Sequence, residues 1–165
     1  MAKESSFDVV STVDTQEVDN AFQQTSRELT QRYDLRQSKA TIAFSKKDGT
    51  FIISAPSEFV AGQVIDVLGT KLVRRQIDLT AIRWDRPQPA AGSSVRQVGH
   101  VVQGIDQDTA RRIAKDIRDL KLKCKATIEG DKLRVSSASK DVLQKVIATL
   151  RENDYGQPLQ FTNYR

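Results

Sequence analysis

Cysteine is almost missing from these 165 residues. The single Cys124 cannot close an internal disulfide, which suits a reducing compartment. It sits between Lys123 and Lys125 in a predicted strand, with no His/Asp pair nearby, the setting of an inert thiol rather than a nucleophile. Histidine also occurs once, at His100, and no His/Cys/Asp/Glu set has the spacing of a metal site. The carboxylates are scattered, so no spacing alone pairs two of them for acid/base work. Gly99 and Gly104 fit no phosphate-loop fingerprint, and the glycine- and aromatic-rich string of a typical RNA-recognition motif is absent. No apolar run approaches the roughly 20 residues of a membrane span, and Met-Ala-Lys-Glu-Ser-Ser at the start has no signal core. These absences point away from an enzyme, a metalloprotein and a membrane protein. They leave the expectation of a cytoplasmic binder without a cofactor.

What is present is a globular composition, 38 % hydrophobic and 28 % charged. The net charge of +5 is unevenly placed. Residues 1–94 hold 12 Lys+Arg against 12 Asp+Glu, whereas residues 95–165 hold 14 against 9. A basic second half suits a polyanionic ligand, although a merely solvated basic surface has the same composition.

Phe7–Val10 reads as a strand. Asp14, with Glu17 three residues on, opens a helix whose inward stripe is Val18, Phe22, Thr25, Leu29 and Tyr33, ending near Asp34. Glu28 and Arg32 stand four apart on its wet side. Thr41–Phe44 and Phe51–Ile53 flank an Asp48-Gly49 turn. A helix follows from Ser57 to Arg75, then a strand over Ile77–Trp84. Residues 86–94 form the one Pro/Gly/Ser-rich stretch. The order then repeats: strand Val95–Gln103, a helix after Asp106, a hairpin about Gly130-Asp131, a helix capped by Ser139, and strand Pro158–Thr162. Short strings repeat too, Lys39-Ala40-Thr41-Ile42 as Lys125-Ala126-Thr127-Ile128. Each half is β-α-β-β-α-β, which predicts an α+β fold of two tandem ferredoxin-like domains, antiparallel sheets with helices on one face only.

In the second half, strand alternation sends Ala126, Ile128, Leu133 and Val135 inward and Lys123, Lys125, Thr127, Lys132 and Arg134 outward. With Leu159 and Phe161 inward, Gln160, Thr162 and Tyr164 join that bare face. Lysine offers phosphate a point charge, arginine a fork, glutamine a base-edge partner, and the Tyr164 ring a stacking surface. Two other readings stay open: a sheet face kept soluble by lysine, and one packed on the first domain.

Ser6–Ser11, Lys71–Arg75, Gln103-Gly104-Ile105, Lys121-Leu122-Lys123 and above all the closing Gly156–Arg165 make this chain resemble the bacterial YajQ family over nearly its whole length. Ser136–Asp141 departs from the Gly-Lys-Ser-Arg-Asp-Asp type of string found there. The resemblance implies that the two domains exchange first strands. The first would be residues 12–103, with strand 95–103 contributed by the swap; the second would be 1–11 plus 104–165; and 86–94 would be the connecting loop. It also implies nucleotide binding, by a receptor for cyclic di-GMP or a GTP-like ligand that works with a transcriptional regulator, or else RNA binding. By position, the ligand surface would use Lys121, Lys123, Gln160, Phe161, Asn163 and Arg165, to which the bare face adds Lys125 and Arg134. A scaffold whose ligand is another protein is a third class, and would want that face apolar rather than cationic.

Overall fold

The computed structural model describes residues 3–165. The chain divides into two compact units, one of Val13–Val102 and one joining the segment up to Thr12 with Gln103–Arg165.

The continuous unit begins with α1 (Thr15–Gln31), where the Asp14 carboxylate accepts from the backbone N–H of Gln16 and Glu17. Glu17 does not close a capping box; its carboxylate meets Arg75 at 3.1 Å. The helix stops earlier than the periodicity suggests. Arg32 takes an extended conformation, and the four-residue α2 (Tyr33–Arg36) follows at a new angle. The kink moves Tyr33 out of the inward stripe, 68 % exposed, and puts Leu35 into the core at 1 %. It also parts Glu28 from Arg32: Glu28 pairs with Lys71 and Arg32 with Asp34. The hairpin β2 (Thr41–Ser45) and β3 (Thr50–Ala55) turns through Gly49 at φ +64°, a conformation that suits glycine. Next come α3 (Glu58–Arg74), capped by Ser57, and the short β4 (Ile82–Trp84). The strand expected from Ile77 starts late because Asp78 caps a 3-10 turn over Leu79–Ala81. The Pro/Gly/Ser-rich stretch contains β5 (Gln88–Pro89), which pairs back on β6 (Val95–Val101). The sheet order is β2-β3-β6-β4, all antiparallel. Phe51, Ile53, Val64 and Leu68 are wholly buried between the sheet and α1 and α3.

The second unit has α4 (Gln107–Asp119), β7 (Lys125–Glu129), β8 (Lys132–Ser137), α5 (Lys140–Glu152) and β9 (Gln160–Thr162). Its sheet is completed by β1 (Ser5–Val10), giving the order β7-β8-β1-β9. Each sheet thus follows the 2-3-1-4 arrangement of a ferredoxin-like domain. β6 fills the "1" place in the continuous unit and β1 fills it in the other. Phe7, Val9, Ile113, Leu133, Val135 and Val146 are wholly buried in the second core. Tyr155 latches the loop after α5: its hydroxyl donates to Asp116 at 2.8 Å, and Arg112 lies 4.8 Å from its ring centre. Burial, followed by Asp116, pushes the Tyr155 phenol up to about 12.

Candidate functional site

β1 is central in its sheet, and its side chains alternate. Phe7 and Val9 lie on the helix side, so Asp8 points to the bare face. The register sets Asp8 opposite Arg134 on β8 and Thr162 on β9. Lys132 Nζ reaches Asp8 Oδ2 at 3.2 Å, Arg134 Nε reaches Oδ1 at 3.3 Å, and Asn163 Nδ2 donates to Oδ2 at 2.9 Å. The Asp8 side chain is only 4 % exposed. Burial opposes its charge, but the hydrogen bonds from Asn163, Lys132 and Arg134, with the charge of Lys132, outweigh that and hold its pKa below the usual aspartate value. Glu129 approaches Arg134 Nε at 4.0 Å.

Beside this cluster lies the approach to β7, where Lys121 takes a left-handed φ of +54° in the turn after α4, Lys123 sits in a bend, and Lys125 opens the strand. Lys121, Lys123, Lys125 and Thr127 are exposed, while Leu122, Cys124, Ala126 and Ile128 between them pack against the core. The backbone at Lys123 is anchored by Ser137 Oγ, which donates to its carbonyl at 2.7 Å. Burial pushes the Cys124 thiol up, away from thiolate chemistry.

Lys121 and Lys123, expected on the bare face, are exposed in the turn and bend ahead of the strand, where its alternation does not extend. The bare face therefore gathers Lys125, Lys132 and Arg134 with Gln160 and Asn163, but the last two already have work. Gln160 Oε1 accepts from the backbone and hydroxyl of Thr12, at 2.8 and 3.1 Å, which leaves its amide nitrogen as the donor for anything else. Phe161 does not share the face. Its register partner is Val9, its ring meets Phe7 edge-on at 6.0 Å, and Arg151 of α5 sits 5.5 Å over it. Arg165 pairs its backbone with Ser6 and lines a small cleft with Lys140 and Leu143 of α5. Tyr164 also leaves the expected face. Thr162 opposes Asp8 and Arg165 opposes Ser6, so two residues, Asn163 and Tyr164, face the single Phe7. This is a β-bulge, with Asn163 in the left-handed region at φ +56°. The bulge turns Asn163 towards Asp8 and Tyr164 towards Phe7, 6.2 Å between ring centres.

Asp8 is the residue that the sequence reading missed. Its signal was a charge between two strand residues, Phe7 and Val9, whose own period of two sends them inward. The arrangement can hold an anion: cations fixed by Asp8, exposed lysines, and hydroxyls and amides at the edge. Among the described residues no group of three His, Cys, Asp or Glu side chains could hold a metal ion. No helix there is long and apolar enough to cross a membrane.

Comparison with known proteins gives one answer. Residues 5–165 match the family described as "Nucleotide-binding protein YajQ-like". A "Nucleotide-binding protein" of Desulfitobacterium hafniense (strain DSM 10664 / DCB-2) is 47 % identical over 165 residues, all of both chains. One from Chloroherpeton thalassium is 41 % identical over the same span, again all of both chains. One from Acidithiobacillus ferrooxidans is 46 % identical over 160 residues, 97 % of this chain and 98 % of that one. With a match of this extent, the chain belongs to the YajQ family.

Proposed function

We infer that this protein binds a nucleotide on the bare sheet face of its second unit, and that it acts as a binder rather than a catalyst. The family's description and the printed names of its relatives support the ligand class. The observation that carries the site is Lys125, exposed on β7 two residues before the Thr127 that pairs with an Arg134 already fixed by Asp8, with Lys123 exposed in the bend just ahead of the strand. An arginine held through Nε keeps its terminal nitrogens for phosphate, with less side-chain freedom to lose on binding. The ligand that suits this best is a cyclic dinucleotide of the cyclic di-GMP kind. Its two phosphates match two cationic groups, the exposed lysines at the start of β7 and the Arg134–Lys132 pair. Thr127, Thr162 and the Gln160 amide stand where sugar or base edges would fall. Binding would be read out through a partner protein, such as a transcriptional regulator.

RNA is the weaker reading. With Phe161 and Tyr164 turned to the helix side, the face has neither ring to offer as a platform for successive bases.

Calorimetric titration with cyclic di-GMP, GTP and a short RNA, at about 50 and 200 mM salt, separates these readings. The expected result is saturable cyclic di-GMP binding with a shallow salt dependence. RNA binding that falls steeply between the two salts would favour the second reading. Lys123→Glu with Lys125→Glu should weaken the nucleotide at least tenfold. Unchanged affinity in that variant would move the site elsewhere.

A further inference from the structure

The continuous unit carries a cleft of about 690 Å³ between α3, the Leu79–Ala81 turn and β4. Leu68 and Leu72 are in its wall, almost wholly buried, while Val73 and Leu79 stand above them, each 56 % exposed. Trp84 closes one side. Its ring lies flat on β6 because residue 99 is glycine: a Cβ there would fall 2.6 Å from two ring carbons. Gly69 likewise lets Leu79 come close, a Cβ there falling 3.1 Å from a Leu79 methyl. The size and apolar character are those of a small-molecule site with few polar groups.

The polar groups at the rim are unevenly committed. Three cations end α3, and two are tied to α1: Lys71 to Glu28 at 3.4 Å and Arg75 to Glu17 at 3.1 Å. Arg74 lines the cleft, and among the described residues it has no carboxylate partner. Asp66 also lines the cleft, eight residues earlier on the same helix and so about 12 Å away along its axis. The rim thus has one positive and one negative end with an apolar floor between them.

We propose that this cleft binds a small amphiphile with a single anionic head, its tail on Leu72, Leu79 and Trp84 and its head at Arg74. The site is separate from the nucleotide face and stands or falls independently of it. Asp66 sets the polarity, since a second anionic end would meet like charge.

Trp84 is the only tryptophan in the chain, so its emission reports on the cleft directly. Octanoate, decanoate and dodecanoate are titrated into the full chain below their micelle concentrations, with calorimetry as a second readout. Saturable binding should tighten by up to about fourfold per added methylene. Alkyl phosphates of the same lengths are run in parallel, and the tighter series identifies the head group. Arg74→Gln should weaken both series about tenfold and leave binding of dodecanol unchanged. A twelve-carbon dicarboxylate should bind at least tenfold more weakly than dodecanoate, and Asp66→Asn should recover most of that loss. Three outcomes would overturn the proposal. One is equal affinity for dodecyltrimethylammonium, and another is no saturable signal by either readout. The third is concentration-dependent self-association of the unliganded chain that Leu79→Ser abolishes, which would give the cleft to a second copy.

Discussion

A carboxylate in the middle of a strand core is unfavourable unless hydrogen bonds and opposite charge compensate it. Asp8 has three such partners, and they are what gathers Lys132 and Arg134 from one neighbouring strand and Asn163 from the bulge after the other. Asp8→Asn should therefore destabilise the protein by about 1–3 kcal/mol near neutral pH, measured by urea unfolding. The sign of the pH effect follows from the lowered pKa. The stabilisation is complete above the unfolded aspartate value of about 4 and is lost as pH falls from there through the lower folded value. Plotted against pH between about 5 and 2.5, wild-type stability should fall more steeply than that of Asp8→Asn. Parallel acid limbs would remove Asp8 from the account. Much at this scale was legible beforehand. Asp14, Ser57 and Ser139 each cap the helix whose start they announce, because a short oxygen-bearing side chain ahead of an apolar period has one good use. The partners of Asp8 were not legible, since they lie 124 to 155 positions away.

Elements were readable where a single period ran through them and unreadable where the backbone interrupted it. On β7 the alternation holds, Lys125 and Thr127 exposed and Ala126 and Ile128 packed inward, whereas just ahead of it Lys121 at φ +54° and a bend at Lys123 cut short the strand that the sequence suggested. Strand β9 obeys the same rule only as far as Thr162, after which one left-handed residue reassigns both Asn163 and Tyr164. Likewise, a kink at Arg32 exchanges Tyr33 for Leu35 in the first core. Neither interruption has a hydropathy signature; asparagine tolerates a positive φ but does not demand one. The bulge can be dissected by two substitutions. Asn163→Gly keeps the backbone at ease and removes only the hydrogen bond to Asp8, a loss of about 1–2 kcal/mol. Asn163→Ala should cost about 1–2 kcal/mol more, because alanine must also hold the left-handed conformation. Equal losses in the two variants, measured by denaturant unfolding, would mean that the bulge relaxes when its side chain is cut back.

At the scale of the molecule, the internal repeat and element order indicated two ferredoxin-like sheets, but element order alone does not say which first strand enters which sheet. Register supplies that: β1 pairs with β8 and β9, and β6 pairs with β3 and β4. The two units should therefore differ in autonomy. A fragment of residues 13–102 contains every strand of its own sheet and should fold cooperatively alone, as judged by a single unfolding transition. A fragment of residues 103–165 lacks its central strand, with the buried Phe7 and Val9, and should stay largely unfolded. Adding a peptide of residues 3–12 should restore it. If residues 103–165 gave a sharp transition without the peptide, β1 would not be the keystone of that sheet.

The same topology bears on synthesis. The hydroxyl of Ser11, just past β1, meets the carbonyl of Pro158 across 147 positions of chain. At typical translation rates of about 5–20 residues per second, a nascent β1 waits some 7–30 s before its last neighbours leave the ribosome. During that interval a six-residue strand, with Phe7 and Val9 still uncovered, hangs from a growing polypeptide whose middle portion can already be complete. Holding it clear of other open strands, by a chaperone or by sheer speed, is a task that this arrangement hands to the cell each time the gene is read.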